Sequence, residues 1–300
     1  MYKYLFIFFL TASFAQVSDY AYTGAGASAM AGAVVSEEGG DWSIYHNPAG
    51  MTEIDGTHFT AGGGKLYGFN WLPYYHLSGF VPIRGIGTIG FALQGLETKY
   101  SGTTLSMEQT LSVAQGFDLQ YDKNSRLSIG YTANIVQLDL GKSSGLSGDG
   151  SDGLELGNIK TLTVDLGLLA SLREKYRFGV FLKNINSGAL GKGMTRQVLP
   201  RRINSGITYM PITGLSTSIV SELLLGRDDL QMKGAVRYNL NSNVGIYVGA
   251  QSNPNRVGFG FKLRIDNLND LAWNYITCTY GLLSHPVLPM THQFNVSISL

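Results

Sequence analysis

What the 300-residue chain lacks narrows the field first. It has one cysteine, Cys278, which excludes an intramolecular disulfide framework and any metal site built on several thiolates. Charged residues make up only 14% of it and nearly cancel, to a net +1, so there is no basic footprint for nucleic acid. Beyond the first residues no apolar run approaches the ~18 residues that a membrane-crossing helix needs. Stretches of good helix formers are scarce as well. In their place stand 39 glycines and a good supply of Tyr, Phe, Thr and Ser, a composition that favours strands and turns.

The opening residues, MYKYLFIFFLTASFAQ, set Lys3 ahead of an apolar run from Tyr4 to Leu10 and offer Ser13 and Ala15 as the small residues of a cut before Gln16. That is the pattern of a signal peptide over residues 1–15. No cysteine follows the cut, so a lipoprotein anchor is excluded. An exported chain with a sheet-like composition and no membrane helix has two homes: a soluble β protein, or an outer-membrane β-barrel.

Alternation runs through the rest of the chain. Leu127, Ile129, Tyr131, Ala133 and Ile135 oppose Ser128, Gly130, Thr132 and Asn134, and Leu162, Val164, Leu166 and Leu168 oppose Thr161, Thr163, Asp165 and Gly167. The same holds for Tyr176–Lys183, Leu230–Leu240 and Val257–Asp266. Strands are expected near 57–65, 73–82, 84–96, 105–121, 125–140, 158–173, 175–186, 203–211, 215–225, 229–240, 243–251, 255–266, 269–281 and 289–300. An even count of about 14, with strands longer than the usual globular ~5–6 residues, suits a membrane barrel better than a sandwich.

Connections largely alternate in length, as a barrel with short inner turns and longer outer loops requires, with a short one at 226–228 and a middling one at 266–269 as exceptions. Those at 82–84, 122–124, 173–174, 211–214 and 241–243 are tight, and those at 97–104, 141–157 and 187–202 are long. Tyr67, Phe69, Trp71, Tyr74 and Tyr75, with Trp273 and Tyr275, stand near strand ends, where an aromatic belt would lie. The predicted fold class is all-β: a transmembrane antiparallel β-barrel, residues 56–300, preceded by an N-terminal plug, residues 16–55. Closure follows from physics, since an open sheet edge in hydrocarbon would leave a row of unpaired amides.

The plug is read from Gly24–Thr52, small-residue-rich and punctuated by Asn47, Pro48, Ala49 and Gly50. Proline fixes one backbone dihedral, glycine frees another, and the asparagine amide can hold a sharp turn. Gly24, Gly26, Ala27, Ala29, Ala31, Gly32, Ala33, Asp41, Tyr45 and Asn47–Gly50 together resemble the N-terminal hatch of the FadL-like outer-membrane transporters. The stretch Tyr280–Phe294 looks like the closing hairpin of a branch that includes the PorV and PorQ proteins of type IX secretion. The resemblance implies a 14-stranded barrel closed by a hatch. Its role would be passive uptake of hydrophobic small molecules across the bacterial outer membrane or, as the alternative, that of a noncatalytic component working with secretion-system proteins.

No enzyme constellation emerges and no cofactor is expected. Gly24-Ala25-Gly26 lacks the strand and long helix of a dinucleotide fingerprint, and the five histidines have no metal-ligand spacing. The positions expected to face the lumen carry Arg177, Lys183, Lys233, Arg237, Lys262 and Arg264, with Phe181 nearby. Two readings stand: a solvated, partly self-paired interior, or a site for the carboxylate of a fatty-acid-like ligand whose tail lies against Met30, Val34 and Val35. Outer-membrane lipid is the other expected partner.

Overall fold

The structure, a computed structural model, describes residues 21–100, 103–143, 145–148, 152–191, 196–226, 229–266 and 273–300. The predicted signal peptide and the first residues of the plug lie outside these.

Sixteen strands are present among the described residues: β1 (His58–Lys65), β2 (Pro73–Ile83), β3 (Gly87–Tyr100), β4 (Thr103–Tyr121), β5 (Ser125–Asp139), β6 (Asn158–Leu172), β7 (Tyr176–Lys183), β8 (Ala189–Leu190), β9 (Gln197–Val198), β10 (Arg202–Ile212), β11 (Leu215–Leu224), β12 (Asp229–Asn239), β13 (Val244–Gln251), β14 (Arg256–Asp266), β15 (Tyr275–Leu283) and β16 (Thr291–Ser299). Fourteen of them form a closed antiparallel barrel, each neighbour in space also being neighbour in sequence apart from the short β8–β9 ribbon. Closure is made where β1 pairs with β2 on one side and with β16 on the other, from His58↔Ser299 to Lys65↔His292. Among the described residues no helix is long and apolar enough to cross a membrane.

Period-two chemistry sorts the two faces. On β5, Ser128, Gly130, Thr132, Asn134 and Val136 are buried while Tyr131, Ala133 and Ile135 are exposed. On β7, Arg177, Gly179 and Phe181 turn in while Tyr176, Phe178 and Val180 turn out. Phe59, Leu77, Phe91, Leu111, Leu162, Ile207, Ile219, Met232, Val248, Phe259 and Phe294 continue the exposed apolar band around the wall. A band of that extent on a filled barrel matches hydrocarbon rather than water.

Four expectations need correction. The long loop predicted at 97–104 is strand at its described residues, 97–100 in β3 and 103–104 in β4, with Lys99↔Thr104 and Tyr100↔Thr103 paired. The strand predicted at 175–186 stops at Lys183, because Asn184 takes a left-handed backbone (φ 56°) and donates its N–H to Asp165 Oδ1 at 2.7 Å, turning the chain inward. Tyr74 is no belt residue. It is buried, and its hydroxyl lies 2.5 Å from Thr23 Oγ1. The strand expected at 269–281 is β15, shifted toward the C-terminus, with residues 267–272 outside the described set.

The wall is uneven. β3, β4, β5 and β6 have 14, 19, 15 and 15 residues, whereas β1, β13, β15 and β16 have 8, 8, 9 and 9. The short-turn end carries connections 84–86, 122–124, 173–175, 213–214 and 240–243. At the long-loop end, residues 184–191 and 196–201 reach the barrel mouth, where Leu190 and Leu199 bury against Val136.

Candidate functional site

The segment from Ala21 to Thr57 fills the barrel interior. Helix α1 (Ala25–Ala29) packs against β13–β16, a second short helix α2 (Ser43–His46) faces β3, and a 3-10 turn, Pro48–Glu53, lies against β3–β6. Ala27, Ala29, Met30, Ala33, Val34, Val35 and Trp42 form one buried cluster with the wall's Phe181, Val220, Ala235 and Tyr247. Ile44, Met51 and Ile54 form a second with Phe80, Ala92 and Ala114.

This close approach depends on glycines at inward positions of the wall. A Cβ on Gly249 would collide with the backbone of Met30, one on Gly258 with the carbonyl oxygens of Ala29 and Ser28, and one on Gly281 with that of Ala25. Across the lumen, Gly116 and Gly130 receive Pro48, Gly167 receives Asn47 and Pro48, and Gly179 receives the Val35 carbonyl. The hatch backbone thus lies directly on strand backbone, which only glycine permits.

Asn47 is the keystone of the turn. Its Nδ2 donates to Val35 O at 2.7 Å within the hatch and to Leu168 O at 3.1 Å on β6, while its Oδ1 accepts from Ala49 N at 3.2 Å. Pro48 then starts the 3-10 turn with a dihedral already suited to it, and Gly50 passes close to Ser43.

Charge holds the other side. The buried Glu37 carboxylate accepts from Ser216 Oγ at 3.0 Å and from Ser218, and it pairs with Arg237 Nη2 at 3.2 Å. The same guanidinium reaches Glu38 Oε2 at 2.8 Å. Burial alone would raise the Glu38 pKa, and the guanidinium of Arg237, with Arg177 behind it, overrides that and holds the carboxyl below its ordinary range. Arg177 pairs with Glu53, which also accepts from Gly39 N at 2.9 Å. Asp41 accepts from Asn295 Nδ2 at 2.7 Å, and Asn295 Oδ1 lies 3.0 Å from His76 Nε2, the two wall residues meeting across Gly62.

The six predicted lumen cations all face inward but do not converge. Arg177 and Arg237 clamp the hatch. Lys233 pairs with Glu222 at 2.6 Å and lies 4.6 Å over the Tyr22 ring, and Arg264 pairs with Asp266 at 2.6 Å while stacking on Tyr275. Lys183 and Phe181 line a chamber of about 80 Å³ at the long-loop side of the hatch, together with Tyr22, Asn134, Arg202 and Glu222. Lys262 lines a second chamber, of about 250 Å³, between Asp41–Trp42 and strands β1 and β14–β16. Of the surface expected for a ligand tail, Met30 and Val34 are packed against the wall, and Val35, also buried, lines the smaller chamber.

Sequence reasoning missed the hatch acids Glu37, Glu38 and Glu53 and the polar seat of Ser216, Ser218 and Thr208. Their one signal was inward parity on β10 and β11. His46, on the chamber side, sets Nε2 3.1 Å from Thr23 O, and burial lowers its pKa to about 4, so the ring is neutral near pH 7. No group of three or more His, Cys, Asp or Glu side chains able to hold a metal occurs among the described residues.

A closed fourteen-stranded barrel, apolar outside and plugged by its own leading segment, defines the class of this protein. No protein-family model and no curated protein matches the chain. Solved structures do match in fold. A TodX toluene transporter of Pseudomonas putida aligns at 14% identity over 92% of this chain and 96% of its own, with a TM-score of 0.54. The CymD monoaromatic hydrocarbon channel gives 12%, 92%, 96% and 0.59, and a Pseudomonas aeruginosa FadL homologue 11%, 92%, 97% and 0.53. At such identities the likeness is one of fold.

Proposed function

We propose that this chain is an outer-membrane channel for small hydrophobic molecules, exported by its N-terminal signal peptide, with the hatch as its gate. The observation that carries the reading is the combination of an apolar exterior with a lumen filled by the hatch, whose backbone lies against inward glycines of the wall. An open porin would leave that space to water. Solved barrels of the same fold bear the names of toluene and monoaromatic hydrocarbon channels, which supports the substrate class.

Size decides how such a channel would work. The chamber above the hatch, about 80 Å³ and lined mostly by polar groups, is smaller than the roughly 150 Å³ apolar cavity that holds a benzene. Passage therefore needs movement of the hatch. Once widened, Phe181 would meet the apolar body of the solute and Lys183 a polar or carboxylate head.

The test is uptake by intact Gram-negative cells that lack a channel of their own for such solutes and express this chain. Labelled toluene and dodecanoate should enter severalfold faster than in control cells, while a disaccharide should not. Equal uptake of the sugar, or no gain for either hydrophobic solute, would contradict the reading.

A further inference from the structure

Two loops flank the closing seam at the long-loop end: 66–72, Leu-Tyr-Gly-Phe-Asn-Trp-Leu, and 284–290, Ser-His-Pro-Val-Leu-Pro-Met. They are built as one unit. Tyr67 N donates to Thr291 Oγ1 at 2.9 Å, the Tyr67 ring lies 5.2 Å from that of His285, and a Cβ on Gly68 would stand 3.3 Å from Met290 O. Leu66 and Leu72 point down onto Tyr74 and Leu96 and close the barrel mouth there. The upper side is left apolar and uncovered: Trp71 is 47% exposed, Val287 85% and Met290 49%, with Phe69 stacked on Trp71 at 5.0 Å.

Neither loop contains an acidic or basic residue apart from His285. His285 Nδ1 accepts from Leu288 N at 3.0 Å and Val287 N at 3.3 Å, an arrangement that requires that nitrogen to be unprotonated. Lys65, at the end of β1, turns its ammonium onto Asn70 Oδ1 at 2.5 Å, at the margin of the patch.

Height supplies the occupant. A tilted membrane strand spans hydrocarbon in about 9–11 residues. β1, β15 and β16, with 8, 9 and 9, are barely that long, so loops 66–72 and 284–290 leave the wall at the level of the lipid boundary. The β3–β6 wall exceeds that span by roughly 4–8 residues, or about 13–26 Å along the strand. The described residues of the connection at its top include Lys142, Asp152 and Glu155. The charged loop is raised into water and the uncharged pair stays low. Below the pair, Leu77 of β2 and Phe294 of β16 face outward, with Lys65 and His292 at the level between.

From this placement we infer that loops 66–72 and 284–290 dip into the outer lipid leaflet, with Trp71, Val287 and Met290 at the boundary between headgroups and acyl chains. The inference rests on the membrane-barrel reading and adds an asymmetry to it: the seam side of the mouth opens toward lipid, the β3–β6 side toward water.

Spin labels test it. With Cys278→Ser as background, a label is placed at Val287→Cys, at Phe259→Cys on the wall and at Leu146→Cys in the charged loop, all three at exposed positions whose replacement leaves the packing intact. In phosphatidylcholine vesicles the Val287 label should collide with oxygen in preference to a water-soluble nickel chelate, severalfold more so than the Leu146 label. A Val287 label as chelate-accessible as Leu146, with Phe259 still shielded, overturns the inference alone. A Phe259 label open to the chelate overturns the membrane reading beneath it.

Discussion

The two ends of the hatch are held by different physics. Its first part, Gly24–Val35, makes no ion pair and lies on Gly249, Gly258, Gly281 and Gly179, where backbone meets backbone and the fit is steric. Its second part, Ser36–Glu53, also meets wall glycines at Asn47 and Pro48, but is fixed in addition by charge: Glu37 and Glu38 on Arg237, Glu53 on Arg177 and Asp41 on Asn295. A steric seat is indifferent to pH and salt and intolerant of added volume. An electrostatic seat tolerates volume and fails when a partner is lost or neutralised. A gate combining the two can loosen at one end while anchored at the other.

The largest effect should come from the charged seat. Arg237→Met leaves the buried Glu37 carboxylate without its cation, a loss of about 3–5 kcal/mol for a buried pair. Limited proteolysis should then cut within residues 36–53 while leaving Gly24–Val35 protected; equal cleavage of both parts would erase the distinction between the seats. Gly258→Val acts on the other seat, where overpacking costs about 1–3 kcal/mol. It should expose the α1 region, whereas Gly234→Val, on β12 with its nearest contact at 3.8 Å, should not change cleavage of the hatch.

Acid should act on one seat only, and more weakly. His46 titrates near 4 in the fold against 6.5 unfolded, so its contribution is complete above pH 6.5 and is lost as pH falls from 6.5 toward 4. Glu38, held below 4.5, adds a loss of the same sign at the lower end of that window. Protease sensitivity of residues 36–53 should rise between pH 6.5 and 4 and stay level from 7 to 8.5. A rise toward alkaline pH would reverse the assignment.

Much of the barrel was legible because its signal is local. Alternation has a fixed period, and Leu127 through Ile135 or Tyr176 through Lys183 declare their faces without reference to anything distant. Extension of β3 and β4 through Thr98 and Thr104 was not, since polar residues above a membrane serve equally as loop or as strand. The inward direction of Arg177, Lys233 and Arg237 could be read, but their partners could not: Glu53 and Glu37 come from the hatch, joined to the wall only by folding. Asn47-Pro48-Ala49-Gly50 announced a sharp turn, while its landing on Gly130 and Gly167 was hidden, because a wall glycine that receives a backbone looks like any other. Hatch seats are long-range facts.

Ion conductance in planar bilayers bears most directly on the claim that the leading segment occupies and seals the lumen. The full-length protein should insert without a steady ohmic current, and the Arg177→Met/Arg237→Met double variant should flicker open. A steady current through the unaltered protein would mean that water, not the hatch, fills the barrel.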